Sequence, residues 1–256
     1  MGLPNEHKTE FGKNSALYDE ARPTYPQMLA DNVIRISGVP DDGRVLDIGC
    51  GSGKATILFG ERGYPILGVD FSEELVAIAR QKSAHLPNIS YLIGELEHVN
   101  LPRESFDLMV SGQALHWIKP GGYEKIYGSL KDSGMLAAFW NFEDPEKSDL
   151  VLQVRELYLQ HCPTFPPDLG SSKRFVKKID ASGLFEPVEI NTYYWDCELS
   201  KDKYVKLANS WSWASSLPTE DLEELLTDIS KLLEGKSENL SIPFRTVLLT
   251  TKKKVK

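Results

Sequence analysis

Two aspartates and a run of alternating glycines carry the clearest chemical signal in this sequence. The stretch from Val45 to Thr56 reads VLDIGCGSGKAT: an apolar run holding Asp47, then Gly49, Gly51 and Gly53, then a helical pattern opening near Lys54. Glycines there permit sharp turning and close backbone approach. The free N–H groups of a helix start suit an anionic part of a ligand. Asp47 puts a charge at the end of an apolar strand, and burying it unpaired is costly. A ligand ammonium, met directly or through water, would offset that cost; capping of local backbone N–H groups is the other reading. Asp70 closes the next apolar run. A carboxylate at that place can accept hydrogen bonds from both hydroxyls of a ribose, which suits any adenosine ligand. Its alternative is a turn or N-capping aspartate.

The loop fits neither of two common nucleotide signatures. A phosphate loop of the G-x-x-x-x-G-K-[ST] type needs a glycine where Ile48 stands and a hydroxyl where Ala55 stands. A dinucleotide fingerprint G-x-G-x-x-G needs a glycine at Lys54 or at Thr56. Other constellations are missing too. His7, His85, His98, His116 and His161 show no metal-ligand spacing, and there is no G-x-S-x-G elbow. Cys50, between glycines, reads as a small filler residue.

The elements that must position these residues alternate in type. RVLDIG is strand-like and KATILFGERG suits a helix ended by glycine. PILGVD gives a second strand, followed by SEELVAIARQKSAHLP with Ser72 as N-cap and Leu75, Val76, Ile78 and Ala79 on one side. NISYLIG, SFDLMVSG and GMLAAFWN read as three more strands, with a helix around Tyr123 to Leu130 between the last two. This alternation predicts an α/β fold, doubly wound, with a mostly parallel sheet and helices on both faces. After Asn141 the rhythm changes. A helix from Leu150 to Leu159, a Pro-rich turn CPTFPP and a helix near Phe175 to Ala181 precede a long strand FEPVEINTYYWDCEL. A helical insertion over about 200–238, holding WSWASSLP and TEDLEELLTDISKLLEG, precedes a final strand PFRTVLLTTKK. One domain over 1–256 accounts for the whole chain: the regular alternation covers 44–141, preceded by a segment 1–43 and followed by 142–256 with its insertion.

Composition narrows the partners. The 256 residues carry a formal charge of −8, with a pI near 5.3, which disfavours a phosphate-seeking surface. The basic end KKKVK reads as a solvated tail. The start MGLPNEHKTE has no apolar signal region, and no run reaches membrane-spanning length. Three cysteines far apart, Cys50, Cys162 and Cys197, fit a reducing cytoplasm.

VLDIGCGSGKAT resembles the signature loop of the class I S-adenosylmethionine-dependent methyltransferases. The resemblance continues in order through GVDFSEELV, GELEHVNLP and SFDLMVSGQALHW, spanning about Arg44 to Asn141. The approach FGKNSALYDEARPTYP is similar to a small-molecule branch that includes trans-aconitate-type enzymes. It implies a Rossmann-like, seven-stranded sheet whose last strand is antiparallel. S-adenosyl-L-methionine is the implied cofactor, S-adenosyl-L-homocysteine the product, and no metal is called for.

The resemblance also assigns roles. Asp47, Gly49, Gly51 and Gly53 surround the methionine part of the cofactor, and Asp70 takes the ribose. Phe71 and Leu96 contact the adenine, and Glu95, where aspartate is commoner, lies near the adenine amino group. Tyr18 and Arg22 belong to a segment folded over the cofactor, with Arg22 available to the methionine carboxylate. Ser111 and Gln113 end the fourth strand beside the transferable methyl. His116 could act as general base toward a hydroxyl or amine acceptor, orient a substrate carboxylate, or cap the next helix. With Gln113 and His116, Trp117, Trp140 and Trp211, and more loosely Trp213, are the candidate acceptor-pocket residues. SGQA stands where family members that methylate amino groups of nucleic acid bases carry N/D-P-P-Y. The expectation is a methyltransferase acting on a small molecule, with a carboxylic acid as the first candidate acceptor, and with neither nucleic acid nor membrane as partner. A cofactor-binding protein without transferase activity is the alternative, and another adenosine-using enzyme ranks below it. The N-terminal segment and the late insertion are expected to form a lid.

Overall fold

The computed structural model describes residues 19–119, 121–166 and 171–255. Seven strands form one sheet: β1 (Val45–Ile48), β2 (Ile66–Asp70), β3 (Ile89–Ile93), β4 (Phe106–Gly112), β5 (Leu130–Glu143), β6 (Glu189–Ser200) and β7 (Asn239–Lys252). Their order is β3-β2-β1-β4-β5-β7-β6. β1 pairs in parallel with both β2 and β4, whereas β7 runs antiparallel to β5 and β6. β7 is thus the one reversed strand, as the resemblance implied.

The central strands are apolar because both faces are covered. On one face, α1 (Gln27–Ser37) and α2 (Lys54–Gly60) bury Leu29, Val33, Leu58 and Phe59 against Val45, Leu108, Val110 and Phe139. On the other, Ile126 of α4 (Gly122–Ser129) and Phe175 and Ile179 of α6 (Lys173–Ser182) pack against Leu46, Met109 and Leu136. Helix α3 (Glu73–Lys82) lies between β2 and β3 in the chain. It starts where the sequence says it should: the Ser72 hydroxyl accepts the Leu75 N–H at 3.2 Å, a cap worth about 1 kcal/mol. Glu73 and Glu74 in its first turn and Arg80 and Lys82 in its last match the helix dipole.

A third apolar cluster joins α5 (Asp149–His161), α7 (Lys201–Asn209), α8 (Ser212–Ser215) and α9 (Thr219–Leu232) to Leu240, Ile242 and Phe244 on the first half of β7. These helices lie against the start of β7, which pairs with the carboxyl end of β5. No helix among the described residues is long and apolar enough to cross a membrane.

Three sequence readings need correcting. The long strand begins at Glu189, not Phe185; Phe185 makes an isolated bridge to Lys253 and Pro187 intervenes, lacking the N–H a ladder needs. The final strand starts earlier than read, at Asn239, and takes Pro243 inside it. The basic end is not wholly solvated: the Lys253 side chain is buried, donates to the Leu130 carbonyl at 3.0 Å and pairs with Asp132 at 2.9 Å.

Candidate active site

In an open α/β sheet, ligands bind beyond the carboxyl ends of the strands where strand order reverses. Here that point lies between β1 and β4, and a cleft of about 200 Å³ opens there. The glycine loop forms its floor. Gly49 has φ +68°, and a Cβ on it would lie 2.4 Å from that of Ala114, so only glycine lets the β1 and β4 loops touch. Gly53, at φ +84°, is the N-cap of α2 and turns the chain into that helix.

Asp47 is fully buried beneath this loop. One carboxylate oxygen accepts the Thr56 hydroxyl at 2.6 Å, while the other, Oδ1, has no partner. Burial pushes its pKa up to about 7, with the nearby Asp70 adding to the rise. An unpartnered buried oxygen beside a glycine cradle suits the ammonium of an amino-acid ligand. Asp70 ends β2 on the cleft wall. Its Oδ2 accepts the Gly51 N–H and its Oδ1 the Ser72 N–H, both at 2.9 Å, which fixes the carboxylate on the cleft wall. Burial raises its pKa, against those backbone bonds. Phe71, Glu95 and Leu96 line the same wall, with Phe71 40% exposed and so available to a flat ring. Lys119 was not singled out in the sequence; its ammonium holds Glu95 Oε2 at 2.6 Å. His98 lies 3.4 Å from the same oxygen.

The opposite end is built differently. Arg22, Tyr25, Gln113, Asn141, Trp211 and Phe244 bound it. Gln113 takes φ +60° and its amide donates to the Asn141 carbonyl at 3.2 Å. The Arg22 guanidinium lies 4.0 Å over the Trp211 ring and donates to the Ser210 hydroxyl and carbonyl at 3.1 and 2.8 Å. That contact ties the segment before α1 to the late helices, and so roofs this end. Lys54, another cleft residue, donates to the Asp19 carbonyl at 2.8 Å, and Asp19 also engages Lys82 and Ser52.

Several expected site residues are placed elsewhere. Ser111 is fully buried and donates to the Ile48 carbonyl at 2.8 Å, tying β4 to β1 rather than facing the cleft. Trp140 is core: 1% exposed, stacked on Phe175 at 4.0 Å. Its indole N–H donates to His116 Nδ1 at 3.1 Å. Burial, with Arg174, Lys178 and Arg22 nearby, pulls the His116 pKa down to about 3. With Nδ1 already an acceptor, the imidazole is neutral and its proton is on Nε2, so it has no lone pair for a general base. Trp117 does line the cleft; Trp213 stacks behind Trp211 at 4.9 Å. Tyr18 lies outside the described residues. Asn141 and Phe244, absent from the sequence reading, reach the site because β5 and β7 pair there. No cluster of potential metal ligands occurs among the described residues.

Comparison with known proteins agrees with this geometry. Residues 46–138 match a family model described as a methyltransferase domain. An uncharacterized methyltransferase of Mycobacterium tuberculosis is 27% identical over 244 residues, covering 93% of each chain. A probable S-adenosylmethionine-dependent methyltransferase of Saccharomyces cerevisiae is 29% identical over 274 residues, covering 90% of this chain and 91% of its own. In fold, the chain is similar to a putative type II methyltransferase from Anaeromyxobacter dehalogenans, with TM-score 0.68, 20% identity, and coverage of 91% and 97%. The matched domain runs from β1 into β5, where the glycine loop, Asp47 and Asp70 lie, and the relatives extend over nearly the whole chain: this protein is an S-adenosylmethionine-dependent methyltransferase.

Proposed function

We propose that the protein transfers a methyl group to a small molecule held at the Arg22–Trp211 end of the cleft. The observation that carries this reading is the roof: Arg22 stacked on Trp211 and bonded to Ser210 encloses that end, leaving room for a compact acceptor. The bound cofactor supplies an already activated methyl, so the protein has to align, enclose and release. Asp47 and the glycine loop hold the methionine part, Asp70 the ribose, and Phe71, Leu96 and Glu95 the adenine. The N-terminal segment and the helices after β6 act together as the lid of one working unit.

The acidic surface, at −8 overall, supports a small acceptor over a nucleic acid. Three free thiols support a reducing, cytoplasmic setting. A carboxylic acid, the acceptor that the trans-aconitate-type resemblance points to, draws support from the Arg22 cation at the acceptor end and needs no base. A hydroxyl or amine acceptor needs a proton acceptor, and His116 does not provide one. A different group beside Arg22 does, and it is taken up below.

The test is incubation of the protein with methyl-labelled S-adenosylmethionine and a small-molecule extract. Transfer of label into low-mass product is expected. Cofactor binding without any transfer would leave only a binding protein.

A further inference from the structure

Glu143 is the last residue of β5, two positions beyond Asn141 and so on the same face, about 7 Å further along the strand. Its cross-strand partner is Phe244. Asn141 and Phe244 both line the acceptor end of the cleft. Glu143 lies deep in the fold yet keeps part of its surface open. Three ionisable groups face it from three elements: Arg22 from the segment before α1, Tyr158 from α5 and Tyr204 from α7. The Tyr204 hydroxyl is beside the carboxyl but makes no well-formed hydrogen bond, although the residue is only 1% exposed. A buried hydroxyl left without a partner beside a carboxyl can share a ligand with it.

We propose that Glu143 accepts the proton of the methyl acceptor, and that the acceptor is a hydroxyl-bearing small molecule. The inference rests on the transferase reading above and deepens it. Charge selects among acceptors. Arg22 and Glu143 balance each other, which suits a neutral group. A carboxylate would stand against Glu143, and an ammonium would stand against Arg22. A hydroxyl can donate to Glu143 and accept from Tyr204, which completes both. In the transfer, the acceptor oxygen forms its bond to the methyl carbon as the carbon–sulfur bond breaks, with sulfur keeping the electron pair. The O–H proton passes to the Glu143 carboxylate, and an ether and S-adenosylhomocysteine result. Burial pushes the Glu143 pKa up to about 7, against the lowering effects of Tyr204 and Arg22, so it can both take and release a proton near neutrality.

The deciding experiment uses the full chain, methyl-labelled S-adenosylmethionine and the extract fraction that supports transfer. Wild type should give alkali-stable label, and its rate should rise with pH through about 7 as Glu143 ionises. Glu143→Gln should lose at least about 100-fold in rate and the pH limb, while cofactor affinity stays within about twofold. Tyr204→Phe should raise the KM for the acceptor and move the limb to higher pH. Carbon-13 NMR of the Glu143 carboxyl should titrate with the same midpoint, a readout that needs no acceptor and stands if Glu143→Gln fails to fold. Alkali-labile label, an active Glu143→Gln with the wild-type pH profile, or a Glu143 carboxyl ionised down to pH 4 would overturn this proposal alone. Absence of transfer from every extract fraction would overturn the transferase reading, and this proposal with it.

Discussion

The indole N–H of Trp140 donates to Nδ1 of His116 at 3.1 Å, and that one contact decides what the histidine can do. An indole nitrogen only donates, so the imidazole lone pair is already in use. Replacing His116 with alanine should leave the buried Trp140 N–H unpaired and cost about 1–3 kcal/mol. Asparagine, which keeps an acceptor near the same place, should cost less and retain the transfer rate within a few-fold. Urea melts and transfer assays on both variants check this. A stable asparagine variant with a rate down 100-fold would return the histidine to the chemistry.

The same burial has a pH signature. His116 is held near 3 in the fold against 6.5 in its ordinary state. Between those values the unfolded chain binds a proton that the native chain refuses, so stability falls as pH drops through that window. The asparagine variant should lose part of this acid sensitivity, visible as a flatter dependence of melting temperature on pH between about 6.5 and 4.

Asp47 works in the opposite sense. Its pKa of about 7 in the fold stands above the ordinary 3.8, so the native state holds a proton that the unfolded state has lost. Stability contributed by the protonated form is lost as pH rises from about 4 through 7, and above that an anion stays buried with one oxygen unpartnered. Asp47→Asn should therefore be as stable as wild type, or more so, at pH 8 without cofactor. It should fail to gain the stabilisation that cofactor gives wild type, about 2.7 kcal/mol at 100 times Kd. Thermal melts with and without S-adenosylhomocysteine, at pH 5 and pH 8, separate the two effects. A full cofactor response in the variant would remove Asp47 from the methionine site.

Asp70 can be tested against one hydroxyl. Its two oxygens already fix the Gly51 and Ser72 N–H groups, so Asp70→Ala confounds ligand loss with loop collapse. A cycle with Asp70→Asn and a 2′-deoxy cofactor analogue avoids this. Each single change should weaken binding. The pair should fall short of additivity by about 1.5–3 kcal/mol, the worth of a hydrogen bond to a charged group. Strict additivity in calorimetric titrations would mean that the carboxylate does not meet the ribose.

Strand ends and loop glycines were legible in the sequence because their requirements are local. A D-x-G-x-G-x-G run needs no partner to be recognised, and Ser72 caps its helix within three residues. The acceptor end was legible only in part, through Gln113, Trp117 and Trp211, because its other parts come from far along the chain. Tyr204 comes to Glu143 from within the helical insertion, and Phe244 arrives only because β7 reverses beside β5. Aromatic residues misled for a related reason. Trp140 and Trp211 look alike in sequence, yet strand register sends one into the core against Phe175 and packing leaves the other under Arg22. Ser111 differs again: its hydroxyl is spent on the Ile48 carbonyl, a cross-strand bond that the sequence of β4 alone does not announce.

Arg22 joins the two halves of the roof, and its geometry makes lysine a poor substitute. The guanidinium donates through Nε and Nη2 to Ser210 and lies flat on Trp211, a combination open to a planar fork and closed to a point charge. Arg22→Lys should keep the charge at the cleft but loosen the late helices. Amide hydrogen exchange over residues 201–216 should quicken by about tenfold, matching a loss near 1.4 kcal/mol of local stability. The transfer rate should fall with it, because an open roof admits water and misaligns the acceptor. Binding of 5′-methylthioadenosine, which lacks the methionine carboxylate, tells the roof from a direct carboxylate contact. If Arg22 acts only as the roof, the variant binds this analogue and S-adenosylhomocysteine with equally small losses. A loss confined to S-adenosylhomocysteine, with exchange over 201–216 unchanged, would assign Arg22 to the carboxylate and leave the roof to other contacts.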